Sequence, residues 1–260
     1  MKKYSRSILL LVLSMSSVFV SVKARPAESD TLQLKQKKAQ WYKTNAFKFG
    51  AAPALLIGLG ISEINNHGIY SSYKMRGELQ KDFPGVNTRI DDILPSMPAV
   101  LAGGLYLSGV KGRNHPVDAA IMFFAANWLS GSIGDKMKEK THLIRPDGSD
   151  FKSFPSNHTI AAFMAAEFLH QEYKDQSVWI SVAGYTMAST VGSIRMLEDH
   201  HWFCDVLAGA GIGILSTKVT YIVYPWLHNM VFKKSKAVQG FNFAPTYIDG
   251  KAGATLNYRF

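Results

Sequence analysis

Residues 117–134 read VDAAIMFFAANWLSGSIG, an apolar run rich in alanine and glycine in which apolar and polar residues do not alternate. A strand with one buried face would alternate with a period of two, so this run favours a helix. Comparable apolar runs recur at 51–62, 93–110, 159–169, 178–194, 206–215 and 219–232. The sequence therefore predicts an all-α fold, a helical bundle of about six core helices.

Small residues dominate two of these runs, AAPALLIGLGI (51–61) and MPAVLAGGLYLSGV (97–110), and small side chains let helices pack closely in lipid. Only 117–134 and 178–194 approach the roughly 20 apolar residues that span a bilayer. We therefore expect the bundle to be embedded in a membrane or attached to one. The glycines of 206–215 follow no strand, so they predict close helix packing rather than a nucleotide-binding loop.

The net charge of +10 is concentrated near the N-terminus of the 260-residue chain. Residues 1–48 hold ten lysines and arginines and two acids, so the rest of the chain is nearly neutral. A nucleic-acid groove would place basic residues in the folded body, where this sequence has no such excess. The charge therefore does not indicate a nucleic-acid partner.

The first 24 residues follow the pattern of a secretory signal peptide. A basic start, MKKYSR, precedes the apolar run SILLLVLSMSSVFVSV, and Ala24 suits cleavage. An uncleaved N-terminal anchor is the alternative. Both predict a protein of the cell envelope, either periplasmic or in a membrane with its site facing the periplasm or exterior. Because Cys204 is the single cysteine, no disulfide forms within the chain.

The composition of the rest of the chain predicts three further segments. Residues 25–50 form a basic arm, in which Leu34, Trp41, Tyr42 and Phe49 can share a helical face, so either an interfacial helix or a solvated arm is expected. Residues 51–235 form the helical bundle. In the tail, 236–260, alternating apolar residues flank Asp249-Gly250, a pattern that predicts a short C-terminal β-hairpin.

Three polar segments stand out against the apolar background, and RMLEDHHWFCD (195–205) is the most informative. His201 and Asp205 are four positions apart, so on one helix they would share a face. A carboxylate there would fix the imidazole tautomer and leave the second nitrogen nucleophilic. A structural polar pair with the same spacing is the alternative. His200 is one position out of this register and is assigned no catalytic role.

The other two segments suit phosphate. In PSNHT (155–159), Ser156 predicts a helix N-cap, and a helix N-terminus binds phosphate through its free backbone N–H groups. His158 in the first turn could donate a proton to a leaving oxygen. In KEKTHLIRPDGSD (138–150), Lys138 and Arg145 join Arg195 as cations for phosphate oxygens, and the turn after Arg145 would fold the first segment back towards the second.

Together the segments resemble the three-part signature of the type 2 phosphatidic acid phosphatase superfamily, which includes bacterial acid phosphatases and vanadium haloperoxidases. KEKTHLIRP matches Lys-x6-Arg-Pro in full. PSNH carries Asn157 where the family has glycine, and SIRMLEDHHWFCD keeps Arg195-x5-His201-x3-Asp205 but has Ile194 directly before the arginine. The resemblance covers about residues 95–232.

The resemblance implies a metal-independent phosphatase without a cofactor, acting on a lipid phosphomonoester or diphosphate in a bacterial envelope. His201 would attack phosphorus and form a phosphohistidine, Asp205 would orient it, and His158 would protonate the leaving alkoxide. Phosphate would be held by Lys138, Arg145, Ser156, Asn157 and Arg195. No dense Asp/His cluster for a metal is visible in the sequence. The alternatives are a soluble periplasmic acid phosphatase of broad specificity and a non-catalytic binding or scaffold protein on the same fold.

Overall fold

The computed structural model describes residues 45–64, 71–232, 241–248 and 251–258. In these ranges the chain forms eight α-helices, one 3-10 turn (Leu94–Ser96) and two strands. The helices are α1 (Asn45–Glu63), α2 (Ser72–Asp82), α3 (Ile90–Ile93), α4 (Met97–Leu107), α5 (Pro116–Thr141), α6 (Asn157–Tyr173), α7 (Val178–Leu197) and α8 (Phe203–Phe232). The predicted all-α body is confirmed.

Two compact units divide the chain between Val219 and Thr220, inside α8. The second unit holds the end of α8 and strands β1 (Phe241–Ile248) and β2 (Lys251–Tyr258), which pair antiparallel. The predicted hairpin depends on the Asp249-Gly250 turn, which lies outside the described residues, so it stays a prediction. The leader (1–24) and most of the basic arm (25–50) lie outside them as well, and the domain boundaries at 50 and 235 remain predictions.

Residues 142–156 connect α5 to α6, and the short connections 174–177 and 198–202 join α6 to α7 and α7 to α8, so that consecutive helices run in opposite directions. The first polar segment covers the C-terminal end of α5 and the turn after it, and the second contains the start of α6. The third joins the C-terminal end of α7 to the start of α8. Alternation of direction therefore brings all three segments to the same end of the bundle.

Glycines allow α8 to lie close against two other helices. A Cβ added at Gly209 would lie 2.9 Å from the Ser156 carbonyl oxygen, and one at Gly213 would lie 2.7 Å from the Met164 nitrogen of α6. On α1, a Cβ at Gly60 would lie 2.8 Å from the Ala208 nitrogen. The predicted packing role of the 206–215 glycines is confirmed. Beside them lies a core cluster formed by Leu56, Ala162, Phe163, Ala166, Ala188, Val191, Leu207, Ala210 and Ile214.

Three elements differ from the sequence-based expectation. The 93–110 run is divided into α3, a 3-10 turn and α4, since Pro95 and Pro98 each begin a new helical segment. The runs 206–215 and 219–232 are one helix, α8. Helix α2 was not predicted, because its sequence, SYKMRGELQKD, has no apolar stripe; Leu79 is its only buried apolar residue.

One helix of the described part, α8, is long and apolar enough to cross a membrane, over Phe203–Met230. About two-thirds of its apolar window (67%) is buried in the protein, and a core helix of that kind passes the same test. The runs at 117–134 and 178–194, which come nearest to a span in the sequence, do not reach this apolarity. Length and composition therefore give weak support to membrane insertion.

Candidate active site

His201 and Asp205 meet at the start of α8. The His201 Nδ1 atom lies 3.1 Å from Asp205 Oδ2, and the two side chains are 2% and 0% exposed. The predicted shared helix face is wrong, because α7 ends at Leu197 and α8 begins only at Phe203. The chain turns through Asp199 at a positive φ of 62°. Asp205 then accepts from the Trp202 backbone N–H at 2.8 Å, so the pair forms across the helix start.

A third donor to the Asp205 carboxylate is the Ser153 hydroxyl, which also bonds to Oδ2. Ser153 is fully buried and lies in the loop before the second segment. Sequence reasoning missed this residue, since nothing in its spacing links it to Asp205, 52 positions away. Donors from Ser153, Trp202 and His201 fix the carboxylate, and that in turn fixes the orientation of the imidazole.

Burial lowers the pKa of His201 to about 4, against the opposing effect of the Asp205 hydrogen bond. The imidazole is therefore neutral near pH 7. With its proton on Nδ1 and donated to Asp205, the lone pair is on Nε2. A neutral imidazole with a fixed tautomer and a free Nε2 is the form that can attack phosphorus.

Ser156 and His158 occupy the N-terminus of α6, as predicted. The buried Ser156 hydroxyl accepts a long hydrogen bond from the Thr159 backbone N–H at 3.4 Å and so caps the helix. Ser156 also donates its backbone N–H to the Asp205 carbonyl at 3.2 Å, which ties this helix start to α8. His158 is partly buried in the first turn, and burial, followed by Arg195, lowers its pKa.

The first segment folds back as the sequence predicts. Gly148, at a φ of 75°, donates its N–H to the Arg145 carbonyl at 3.0 Å. The Ser153 N–H bonds to the Leu143 carbonyl at 3.0 Å. Arg145 Nε donates to Asp150 Oδ1 at 2.9 Å, which fixes the guanidinium beside the turn. The turn brings the loop before α6 back against the end of α5.

Lys138 lies beside this loop, where its Nζ donates to the Lys152 carbonyl at 2.6 Å and to the Ser153 carbonyl at 3.3 Å. Burial lowers the pKa of Lys138 to about 8. Its charge acts on His201, and the charges of Arg145 and Arg195 act on His158. The structure therefore brings the three predicted cations and both histidines into one electrostatic environment.

Arg195 is almost fully buried at the end of α7 and is held by two acids. Its Nη1 bonds to Asp91 Oδ2 and lies 3.4 Å from Glu198 Oε2. Glu198 Oε1 in turn accepts from the Thr88 backbone N–H at 2.8 Å. Among the described residues, the buried Arg195 Nε has no hydrogen-bond partner. Asp91 and Glu198 were not predicted from the sequence.

The side chains of Asn157 and His200 lie near acids other than Asp205. The Asn157 side chain donates to Asp135 Oδ1 at 3.2 Å, so its amide is directed to α5 and not to a phosphate. The backbone N–H of Asn157, at the start of α6, is the group that is left for phosphate binding. The His200 side chain is 39% exposed and lies near Asp147 and Glu198 rather than Asp205. That His200 has no catalytic role stays a prediction.

One group of possible metal ligands occurs in the part of the chain that the structure describes. A carboxylate oxygen from each of Asp91 and Asp92 and a ring nitrogen of His158 all lie within 4.8 Å of one another. No sequence motif indicates this cluster, because α3 and α6 are distant in the chain. The donor types would suit a divalent cation.

The comparisons with known proteins agree with the motifs. Residues 119–229, which contain all three segments, match the model of the PAP2 superfamily. The lipid A 1-phosphatase of Porphyromonas gingivalis is 34% identical over 161 residues, which are 62% of this chain and 35% of that protein. The bacitracin transport permease protein BcrC of Bacillus licheniformis is 25% identical over 197 residues, 70% of this chain and 92% of that protein.

A solved structure, Aquifex aeolicus LpxE, is 19% identical, with a TM-score of 0.43 over 56% of this chain and 93% of that one. The chain matches only about a third of the length of the Porphyromonas protein. The family match, in contrast, includes Lys138, Arg145, His158, Arg195 and His201 in one continuous region. Over residues 119–229, which hold its three motifs, the chain matches the PAP2 superfamily.

Proposed function

We propose that this protein is a phosphatase that hydrolyses a lipid phosphomonoester or diphosphate through a phosphohistidine on His201. The observation that carries the proposal is the buried contact of 3.1 Å between His201 Nδ1 and Asp205 Oδ2. The contact orients the ring, while burial keeps it neutral at pH 7. Nε2 attacks phosphorus, and the positive charge that develops on the imidazole is stabilised by Asp205.

The surrounding cations hold the phosphoryl group during this attack. Arg195 Nε, Arg145 and Lys138 provide charge for the non-bridging oxygens, and backbone N–H groups at the start of α6 add helix-terminal donors. His158 gives its proton to the leaving alkoxide, then accepts one from the water that hydrolyses the phosphohistidine. Phosphoryl transfer depends chiefly on positioning and electrostatic stabilisation, and these groups supply both without a metal.

A lipid substrate is favoured by an apolar stripe on α5. Val117, Ile121, Phe124 and Trp128 recur every three or four residues, and they are 60%, 48%, 69% and 73% exposed. Lys138 lies ten residues after Trp128 on the same helix, about 15 Å along its axis. A membrane that covered the stripe would have the phosphate site near its headgroups.

Two residues of α7 support this orientation, and a cavity supports a substrate larger than phosphate. On α7, Val178 and Trp179 are 65% and 73% exposed, at the end of the helix opposite to Arg195. Beside Lys138, a cavity of about 610 Å³ is lined by Asp135, Glu139, His142, Asp150, Phe151 and Lys152, which leaves room for more than a phosphate group. We therefore propose a membrane-attached enzyme; the leader-like pattern of residues 1–24 supports a place in the bacterial envelope with the site facing the periplasm or exterior.

The test is phosphate release from purified lipid phosphates by the full-length protein and by His201→Ala. The panel is phosphatidic acid, phosphatidylglycerol phosphate, undecaprenyl diphosphate and lipid A, the last because a relative is named as a lipid A 1-phosphatase. We expect turnover of at least one lipid, lost in the variant. A folded wild-type protein that releases no phosphate from any ester would instead favour the non-catalytic scaffold.

The closest alternative is a soluble periplasmic acid phosphatase of broad specificity. Membrane fractionation separates the two functions: we expect the protein to stay with membranes after washes with salt and alkaline carbonate. Release into the wash, together with equal rates on lipid phosphates and small sugar phosphates, would favour the soluble enzyme.

A further inference from the structure

The cavity beside Lys138 lies between the last two turns of α5 and the loop that leads to α6. From α5 it is lined by Asp135, Lys138 and Glu139, and by His142 directly after the helix. Each of these residues is three or four positions from another, so they share one face of the helix. Residues 150–152 line the cavity from the loop. Of all these residues, the proposed mechanism uses only Lys138, which the cavity therefore shares with the phosphate site.

One wall of the cavity is tied to the start of α6. Asn157 Nδ2 donates to Asp135 Oδ1 at 3.2 Å. Gly134 leaves the space for this contact, because a Cβ there would lie 2.9 Å from Asn157 Oδ1 and 2.7 Å from Ile160 Cδ1. The contact holds the Asp135 carboxylate beside the cavity and joins it to the helix turn that carries His158.

The cavity becomes acidic once the reacting phosphate is bound. Lys138 and Arg145 are assigned to that phosphate, and Arg145 also pairs with a lining residue, Asp150. The other charges of the lining are three carboxylates and one ammonium, from Asp135, Glu139, Asp150 and Lys152. Such a lining repels a second phosphate, whereas hydroxyl and amino groups can donate hydrogen bonds to it.

We propose that this cavity receives the part of the substrate next to the reacting phosphate, where Asp135 and Glu139 favour a hydroxyl- or amino-bearing leaving group over a second phosphate. The inference deepens the proposed phosphatase function and rests on it for the reaction. Phe151, which is 61% exposed, adds an apolar surface for the C–H groups of such a leaving group. Asn157 is a positioning residue, since it acts through Asp135. The substrate is then a phosphomonoester rather than a diphosphate.

The first experiment tests the rejection of a second phosphate. Binding is measured by thermophoresis on the full-length protein carrying His201→Gln, which cannot form the phosphohistidine, in a detergent without a sugar headgroup. Farnesyl phosphate and farnesyl diphosphate differ only in the second phosphate, and the monophosphate should bind more tightly. Glu139→Lys reverses an exposed charge of the lining. It should shift the ratio of the two dissociation constants about tenfold towards the diphosphate at low salt.

The second experiment tests the hydroxyl groups with three lipids in the same protein background. Diacylated glucosamine 1-phosphate and 1-acylglycerol 3-phosphate carry free hydroxyls, and phosphatidic acid has none. Asp135→Asn should lower the preference for one of the first two over phosphatidic acid about tenfold, the effect of weakening one charged hydrogen bond. The lipid affected tells whether a sugar or a glycerol hydroxyl is held.

Two further variants serve as controls in both experiments. Asn157→Gly keeps the backbone N–H but releases Asp135, so it should change the ratios in the same direction as Asp135→Asn and by less. Asp82→Asn, at an exposed acid of α2, should leave every ratio unchanged.

Unchanged ratios in Asp135→Asn and Glu139→Lys would overturn the inference, as would tighter binding of the diphosphate before the cavity is altered. An equal loss of affinity for every lipid would also contradict it, because the acids would then shape α5 without selecting a leaving group. Glu139 is exposed, so its variant should fold even if Asp135→Asn does not. Binding needs no turnover: an inactive wild type would refute the phosphatase function, while the ratios would still report on the cavity.

Discussion

Arg76 and Asp199, 123 positions apart in the chain, form a two-bonded ion pair in which Nε and Nη2 each lie 2.6 Å from a carboxylate oxygen. The pair fastens the turn between Arg195 and His201 to α2. Asp199 has a positive φ of 62°, and its carbonyl accepts from the Asp147 N–H at 3.1 Å. The Arg76 guanidinium also lies over the Trp202 ring, 5.6 Å from its centroid. The ion pair, the hydrogen bond from Asp147 and the contact of Arg76 with Trp202 therefore all restrain the turn before His201.

Replacing Asp199 with asparagine should loosen this turn. Asparagine tolerates positive φ, so the backbone is kept and only the ion pair is lost. We expect a loss of about 1 kcal/mol in the free energy of unfolding, a small value because Arg76 is 39% exposed. The rate kcat should fall about tenfold as His201 loses its fixed position. Chemical unfolding and steady-state kinetics measure the two effects.

Matched variants on α2 test the geometry of the pair. Arg76→Lys should recover little, since an ammonium cannot form the two parallel bonds of the guanidinium. Lys81→Gln removes an exposed charge from the same helix and should behave as wild type. If Arg76→Lys were fully active and stable, the pair would matter only as charge, and the two-bonded geometry would have no role in holding His201.

The two adjacent histidines should differ sharply in function. His201→Ala removes the nucleophile and should abolish turnover. His200→Ala removes a side chain that is 39% exposed and points to Asp147 and Glu198, so it should retain much of the activity. Phosphate release from the best lipid substrate measures both. The reverse result would mean that the histidine facing the phosphate had been misassigned.

The pH dependence of stability should report the burial of His201. The pKa of His201 is lowered from 6.5 to about 4, so the unfolded state takes up the proton first. The contribution of His201 to stability is therefore complete above pH 6.5 and is lost as pH falls towards 4, by about 3 kcal/mol in total. Chemical unfolding at several pH values should show this loss in wild type.

His201→Gln should remove that part of the pH dependence. Other groups titrate in the same window, so the difference between wild type and variant is the quantity to compare. His200→Gln, at a partly exposed position, should keep the wild-type slope. Parallel curves for wild type and His201→Gln would contradict the idea that the folded protein keeps His201 neutral.

How much of this could be predicted from the sequence depends on distance along the chain. Lys138, Arg145, Arg195, His201 and Asp205 have fixed spacings, and local helix and turn signals place them at the same end of the bundle. Ser156 was predicted as a cap because N-cap chemistry is local. The apolar runs likewise predicted the helices that carry these residues.

The supporting residues could not be found in this way. Asp91, Arg76 and Ser153 reach the site through tertiary packing, and each lies in a segment without a motif. Helix α2 escaped prediction because it is largely polar, and propensity alone does not mark a helix without an apolar stripe. The shared-face model for His201 and Asp205 failed because spacing cannot show that a helix begins between two residues.

Orthovanadate should inhibit the enzyme competitively with the lipid phosphate. As a phosphate analogue, it can adopt five-coordinate geometry at His201 while Arg195, Arg145 and Lys138 hold its equatorial oxygens. EDTA should leave activity unchanged, because phosphoryl transfer here is assigned to side chains and backbone N–H groups without a metal. Initial rates at several substrate and vanadate concentrations, with and without chelator, decide the point. Loss of activity in EDTA, restored by a divalent ion, would instead assign a metal to Asp91, Asp92 and His158.

The last prediction concerns His158 as the general acid. Its loss should cost about 10²–10⁴ in rate, the usual range for a positioned acid or base. The cost should depend on the leaving group. An alkoxide that leaves a lipid or sugar phosphate is a strong base and needs the proton, whereas p-nitrophenolate is stable without it. The rate of His158→Ala should therefore fall greatly on alkyl phosphates and much less on p-nitrophenyl phosphate.

The comparison must be made on the first chemical step. Hydrolysis of the phosphohistidine also uses His158, so steady-state rates would fall on both substrates and conceal the difference. Burst-phase formation of the phosphoenzyme isolates the attack by His201 on each ester. Equal losses on both substrates in the burst would mean that His158 mainly holds phosphate or shapes the start of α6. A selective loss on alkyl phosphates would assign it the proton, since no other difference between the two substrates requires an acid at that position.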